Sequence, residues 1–419
     1  MNQTRSAESA IVVGAGIVGI ACAHYLNRRG MRVTVIDRAS VAGACSYGNC
    51  GYICPSHVPP LTEPGAIAVA LKSLFQPQSP FRVKPSLSPS LWNWMWQFGK
   101  RCNSAQVLWA GKHLQAILDA SLLEYRHLIA EHQFDCEWQD DGLLYVFATK
   151  HGMEEFAETD RMLTEHFGVA AKRIEGADLT AFDPGLRSGL VGAFHYPGDC
   201  SVRPDLLNQA WCRLLRENGV EVVEDCELRE IGRGVDRVTR LMTSRGEFTA
   251  DRFVFAMGAW STHWSQQLDC HIPIQPGKGY SVTLTRPDAC PRYPMLFPEK
   301  KVGVSPFQHG MRLGSMMEFV GYDASIPERR IQQLRDAARP YLVASVDGKA
   351  CETWFGWRPM TWDSLPIIGP VPGLHNGFLA TGHNMLGMSL APATGRLIAE
   401  IICGEKPHLD TTPYSPARF

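Results

Sequence analysis

The residues with the most chemical content lie near the start of the chain, where Gly14-Ala-Gly16-Ile-Val-Gly19 follows the apolar run 11–13. Gly14 permits a tight bend, Gly16 lets a pyrophosphate approach the backbone, and Gly19 lets a helix lie close on a strand. The pyrophosphate would rest on the positive end of that helix, against free N–H groups. A second apolar run, 33–36, ends in Asp37, 18 residues after Gly19, the reach needed to hydrogen-bond a ribose hydroxyl. Set between two strand-like runs and followed by an acid, the glycine motif predicts a dinucleotide site. Three later stretches suit close backbone contact with such a ligand. They are Ala256-Met-Gly258-Ala-Trp260-Ser261, the run from Trp354 through Arg358 and Asp363 to Gly369, and the glycine-rich 382–395.

The elements that must position these groups alternate between helix and strand. The first helix is expected over 20–29. Residues 55–89 are rich in proline and serine, with a short helical patch at 65–75. Long helical patterns occupy 90–132 and 151–167, and Leu143–Phe147 reads as a strand between them. A helix over 204–218 opens with proline in its first turn and stops at Gly219, ahead of a strand at 220–223. Short runs at 227–231, 238–243 and 247–249 form an antiparallel meander feeding the run 252–258. Residues 273–317 are strand-rich, and helices are expected over 328–341 and 393–403. Nucleotide-site features occur at the beginning, middle and end, so two domains are interleaved. Residues 1–60, 185–265 and 350–419 build the nucleotide domain; 61–184 and 266–349 build the substrate domain.

The 41 basic and 42 acidic residues of this 419-residue chain nearly cancel, which excludes a charge-driven nucleic-acid partner. Thirteen scattered cysteines, an odd number, point to a reducing cytoplasm rather than a disulfide framework. Arg5 and the apolar stretch at Ile11 do not make a signal peptide, because that stretch is the first strand and its glycine turn. No apolar run of about 18 residues is present to span a membrane. The aromatic cluster 91–98, ending in Lys100-Arg101, has two readings: substrate-domain core, or an interfacial patch on the inner face of the cell membrane. Cys45, Cys50 and Cys54 lack a fourth ligand at suitable spacing, so no metal site is expected.

Taken in order, G-x-G-x-x-G, A-x-G-x-W-S, W-R-P-M-T-x-D-x-x-P-I-I-G and T-G-H-x-x-L-G are similar to the motifs of FAD-dependent amine oxidoreductases such as D-amino-acid oxidase, glycine oxidase and sarcosine oxidase. Within that family the chain most resembles bacterial D-amino-acid dehydrogenases, almost end to end. Tyr25-Leu-Asn27, Val35-Ile-Asp-Arg38, the 46–51 loop, Trp94-Met-Trp96, Gly277-Lys-Gly-Tyr-Ser281 and Arg312-Leu-Gly314 belong to the likeness. The segments 53–57 and 390–395 lean towards the D-hydroxyproline dehydrogenase branch.

The resemblance implies an α/β fold, with a Rossmann-like FAD-binding domain interleaved with an α+β substrate domain on a mixed sheet. It implies noncovalent FAD, since the cysteine motif that tethers flavin in monomeric sarcosine oxidases is not evident. Gly14, Gly16, Ile17, Val18 and Gly19 would hold the pyrophosphate, and Asp37 and Arg38 the adenosine ribose. Ser46, Asn49 and Gly51 would meet the ribityl chain or flavin, and Leu228 the adenine. Gly258 and Trp260 would flank the cofactor, while Gly369, Gly382, His383, Leu386, Gly387 and Met388 would close on the flavin ring. Arg358 matches the family arginine that grips the substrate carboxylate, a task its planar fork suits. The glycine oxidase loop G-H-x-R-N-G is not reproduced at Asn384 and Met385, so an extra arginine contact is missing. The implied reaction is oxidation of a D-amino or D-imino acid at its Cα–N bond, by hydride transfer to flavin N5. The leading substrates are cis-4-hydroxy-D-proline and D-proline, and the acceptor is a quinone or another carrier.

Other readings stay open. A sarcosine- or glycine-type oxidase using oxygen and a flavin subunit of a multisubunit dehydrogenase both fit the motifs. Cys45 and Cys50 have the spacing of the redox pair in glutathione-reductase-like enzymes. The mid-chain offers only Gly232-Arg-Gly234 as a second nucleotide turn, and the C-terminus lacks the histidine–acid motif. Tyr280 has a substrate-bonding and a core-filling reading; His57 a pocket-lining and an incidental one. Glu318 either faces the flavin or ends a solvated strand. His383 is expected to shape its loop.

Overall fold

The computed structural model describes residues 7–68, 79–84 and 88–419. The first sheet has six strands, in the order β19 (Ile367–Pro370), β20 (Gly377–Thr381), β13 (Arg252–Phe255), β1 (Ser9–Val13), β2 (Arg32–Ile36) and β9 (Glu221–Val223). All neighbours are parallel except β19, which runs antiparallel to β20. The apolar run of β1 is continuous because both faces are covered. Ala10 and Val12 join one core, with the first helix Ile17–Asn27 and the closing helix Gly387–Ile402. Ile11 and Val13 join another, with the meander β10 (Leu228–Arg233), β11 (Val238–Thr243) and β12 (Gly246–Phe248).

The second sheet has nine strands. Eight follow the order β18 (Ala350–Thr361), β14 (Ile274–Thr285), β17 (Gly310–Phe319), β16 (Val302–Phe307), β15 (Met295–Phe297), β5 (Leu143–Phe147), β7 (Gly192–Tyr196) and β6 (Lys172–Glu175). The ninth, β4 (Phe81–Val83), lies parallel to β17. Helix Glu328–Ala338 covers one face through Ile331 and Leu334. A short ribbon, β3 (Tyr52–Ile53) with β8 (Cys200–Ser201), links the two regions.

Several expectations shift. The 90–132 helix is two helices, Pro89–Arg101 and Ser104–His132, because the Asn103 carboxamide accepts the Gln106 N–H and caps a new start. The closing helix begins at Gly387, with Pro392 inside it. Pro392 has no N–H for the carbonyl of Met388, which instead accepts the Tyr125 hydroxyl at 2.6 Å. The expected boundaries at 185 and 350 also move, since β7 and β18 belong to the second sheet. Helix Ser104–His132, within the span expected for the substrate domain, packs its Leu114, Ile117 and Leu118 into the core beside the first sheet. The helical patch at 65–75 lies mostly outside the described residues.

Candidate active site

A cavity of about 590 Å³ lies between the two sheets. At one end the glycine turn leaves β1. Gly14 has φ +111°, and a Cβ there would sit 2.5 Å from the Ala256 carbonyl oxygen. Gly16 opens the first helix without a side chain over its end, and no acid occupies the first turn. With no acid within that turn, the positive end of the helix favours an anion. Gly19 is not on the cavity wall: its Cβ would fall 1.8 Å from the Gly14 oxygen, so its absence lets helix and turn touch. Asp37 follows β2 at the cavity and accepts the N–H groups of Ala15 (2.7 Å) and Ala39 (2.9 Å). Burial pushes its carboxyl up, and those two N–H donors oppose the shift. Arg38 lies over the Trp260 ring, 3.7 Å from its centroid, and both line the same end with Leu228 and Gly258.

The middle of the cavity is bounded by Ala44, Cys45, Ser46 and Asn49. Ser46 Oγ accepts the Ile17 N–H at 3.1 Å, tying this loop to the glycine turn. The Asn49 carboxamide closes the loop on itself, donating to the Cys45 carbonyl and accepting the Gly51 N–H. Gly51 is packed behind the wall, where a Cβ would meet the Val202 oxygen at 1.8 Å. The second sheet braces the loop from below. Ser281 Oγ donates to the Gly48 carbonyl (2.7 Å), Ser305 Oγ to that of Cys50 (2.6 Å) and Arg312 Nη1 to that of Asn49 (2.9 Å). Those three braces were not singled out from sequence. Only Arg312 and Ser281 stood within recognised motifs.

Arg358 approaches from the second sheet. On β18 it is half-buried, lines the cavity and donates from Nη1 to the Met316 carbonyl at 2.7 Å. Its guanidinium lies over Gly279, whose Cβ, if present, would stand 2.1 Å from Nη1. Burial lowers its pKa, and no carboxylate among the described residues lies within 4.0 Å of it. An arginine held without an acid at a cavity wall is arranged to receive an anion. Trp354 and Trp357 line the same wall, and each has a buried indole N–H with no partner among the described residues.

His383, Gly387 and Met388 complete the wall, as do Asn384 and Met385. His383 bonds the Thr394 hydroxyl through Nε2 (3.0 Å), and burial lowers its pKa to about 3, so the ring is neutral. Asn384, which replaces a position of the glycine oxidase loop, has its own task. Its side chain accepts the Thr361 N–H (2.8 Å) and donates to the Gly382 carbonyl (3.1 Å), joining this loop to the end of β18. Gly369, Gly382 and Leu386 lie behind the wall. Gly382 has φ +71°, and its Cβ would press on Thr361.

Two residues assigned near substrate lie elsewhere. Tyr280 is buried and donates to Glu318 (2.5 Å), which pairs with buried Arg330. Tyr280 points to the face of β14 opposite Gly279, as strand alternation requires. Glu318 therefore neither faces the flavin nor ends a solvated strand. His57 lies edge-on to Tyr145 with ring centroids 6.2 Å apart, and burial lowers its pKa to about 4. Cys45 and Cys50 are free thiols; burial pushes Cys45 up to about 11, opposite to what a redox-active thiolate needs.

The model of the family described as "DAO: FAD dependent oxidoreductase" matches residues 9–401. The chain belongs to that family. It is 31% identical over 415 residues to a D-amino acid dehydrogenase of Granulibacter bethesdensis, covering 98% of this chain and 99% of that one. To a D-amino acid dehydrogenase of Vibrio vulnificus it is 32% identical over 403 residues, 95% and 96% of the two chains. Its fold is similar to that of glycine oxidase from Geobacillus kaustophilus (TM-score 0.77, 20% identity, 98% and 99% covered). L-proline dehydrogenase from P. horikoshii is also similar (TM-score 0.74, 21% identity, 99% and 98% covered). As a member of this FAD-dependent oxidoreductase family, the protein uses FAD, and the cavity fits it. Gly14 and Gly16 line one end where the first helix begins with no acid in its first turn, and Trp354 and Trp357, each with a buried indole N–H lacking a partner among the described residues, line the wall beyond.

Proposed function

We propose that the protein is a dehydrogenase that oxidises the Cα–N bond of a D-amino or D-imino acid, with cis-4-hydroxy-D-proline and D-proline as leading substrates. The observation that carries this reading is the Arg358 guanidinium on the cavity wall, bonded to a backbone carbonyl but facing no carboxylate among the described residues. Noncovalent FAD would supply the acceptor for the hydride. Gly14, Gly16, Ile17 and Val18 would hold its pyrophosphate, Asp37 and Arg38 its ribose, and Ser46 and Asn49 the chain towards the ring. Leu228, Gly258 and Trp260 would flank it, and His383, Gly387 and Met388 would close over it. Arg358 would fix the substrate carboxylate through its remaining N–H groups, so that the Cα–H points into the cavity. No side-chain base is required, because the neutral amine's lone pair assists loss of hydride and yields an imine. The D-amino acid dehydrogenases at 31–32% identity support the D-configuration. The imino-acid preference rests on the resemblance of 53–57 and 390–395 alone.

The test is an anaerobic screen of flavin bleaching with paired D- and L-amino acids, the hydroxyproline isomers, D-proline and sarcosine. Bleaching by a D-acid and not its L-partner is expected. Bleaching by sarcosine or glycine with rapid peroxide formation would favour the oxidase, and bleaching by NADPH would sink the reading.

We further propose that electrons leave to a membrane quinone from a protein resting on the bilayer surface. Trp92 and Trp96 stand exposed one turn apart on helix Pro89–Arg101, with Lys100 over Trp96, while Trp94 is buried and bonds Pro273 and Met360 carbonyls. Leu108 and Trp109 on the next helix are also exposed. Residues 64–118 contain six Lys and Arg and no Asp or Glu, in a chain of net charge −1. That combination suits an anionic lipid surface. No described helix is long and apolar enough to cross a membrane. Sedimentation with phosphatidylglycerol vesicles but not with phosphatidylcholine vesicles is expected, and loss of it in W92S/W96S; equal recovery with both would refute the contact.

A further inference from the structure

Arg358 is held by a backbone atom in an unusual state. In register it stands opposite Gly277 on β14, yet its guanidinium crosses that strand above Gly279 and ends on the carbonyl of Met316, in β17. Between β14 and β17 the pairing slips. Lys278 faces Glu318 and Tyr280 faces Ser315, so β17 carries one extra residue there. Such a bulge turns a peptide group out of the ladder. Met316 lies within it at φ +75°, a region that residues with a Cβ occupy at a cost and β-branched residues scarcely at all. Its side chain is buried in the core against helix Glu328–Ala338, so the strained backbone is pinned from the other face of the sheet.

We propose that the Met316 bulge is a positioning device for Arg358. The left-handed turn aims the Met316 carbonyl across the glycine gap, takes one guanidinium N–H and so presents the others, in a fixed plane, to the carboxylate of the substrate. Met316 is a positioning residue, acting on substrate only through Arg358. An arginine left free would sample several rotamers and lose orientation as well as affinity. Strained residues that the surroundings over-determine are characteristic of ligand clamps. This inference rests on reading Arg358 as the carboxylate anchor.

The experiment compares isomeric side chains at the bulge. Met316→Leu and Met316→Ile have equal volume, but only the second is β-branched and expels the left-handed conformation; Met316→Gly adopts it freely. Using the D-amino acid that bleaches the flavin fastest, Met316→Ile should raise KM about tenfold, with kcat within threefold and flavin content unchanged. Met316→Leu and Met316→Gly should keep KM within threefold, even though the glycine variant melts earlier. Equal KM for the leucine and isoleucine variants, whatever their melting temperatures, overturns the proposal. Should the isoleucine variant not fold, Met316→Ala against Met316→Gly repeats the contrast between two truncations; a higher KM for alanine is expected, and equality overturns it. Arg358→Gln serves as the control. If it leaves KM unchanged, the carboxylate reading itself has failed; if it raises KM while the Met316 series is flat, only the positioning device has.

Discussion

On the nucleotide side of the cavity, the contacts that set Gly19 and the Asp37 carboxylate come from atoms close along the chain. Gly19 touches Gly14, and Asp37 bonds Ala15. On the substrate side, Arg358 is fixed by residues from three strands that are distant in sequence: its own β18, Gly279 of β14 and Met316 of β17. The first wall is a local motif, rigid because helix and strand touch. The second is an assembly whose parts are in place only when the whole sheet is in register. A local motif tolerates little change anywhere within it, whereas the assembly can lose its function with its fold intact.

The sharpest test of that contrast is Gly19→Val. Backbone lies 1.8 Å from where the new Cβ would stand, and backbone cannot step aside. The expected outcome is protein recovered colourless or insoluble, with any residual FAD affinity at least 100-fold weaker by fluorescence titration. A yellow, stable Gly19→Val would break the comparison. Arg358→Gln should act oppositely, retaining flavin and melting temperature while kcat/KM falls about 100- to 1,000-fold, the scale of losing a charged partner, about 3–4 kcal/mol. Gly279→Ala comes next. The atom that must yield is the end of a flexible side chain, so the fold should survive and the guanidinium shift. A rise of about tenfold in KM with flavin retained is expected from steady-state assays.

The smallest effect concerns the ribbon joining the two regions. Asp199, just before β8, is buried and accepts the N–H and hydroxyl of Ser56, yet burial raises its carboxyl to about 7 from 3.8. The native state then holds a proton that the unfolded chain has released, so this group's contribution to stability falls as pH climbs from about 4 to 7. Asp199→Asn removes that dependence. Its melting temperature relative to the parent should become more favourable by a few degrees between pH 5 and pH 8, measured by scanning calorimetry. A difference that does not change with pH would show that Asp199 ionises normally.

Legibility in the sequence follows the same division. The first strand, glycine turn and acid could be read because the motif's residues lie within about 30 positions of one another, and strand Leu143–Phe147 is an unbroken apolar run. Arg358 was recognisable from its motif, but its support was not. The Met316 bulge is an event between strands and leaves no mark in either sequence alone. Of the two readings of Tyr280, strand alternation favours the core-filling one: with Gly279 and Ser281 near the cavity loop, their neighbour must point away. The break at Asn103 was hidden because apolar spacing continues through it, while a single cap decides where the second helix starts.

The closing helix carries one more consequence. Gly395 lies so close to the first helix that a Cβ would meet the Ala21 backbone at 2.5 Å, and β20 completes the sheet beside β13. Two helices from opposite ends of the fold's sequence order are thus neighbours. The pocket begun by β1 and its glycine turn stays open until β20 and the closing helix have been made, so the growing chain must keep an unfinished sheet edge from pairing elsewhere.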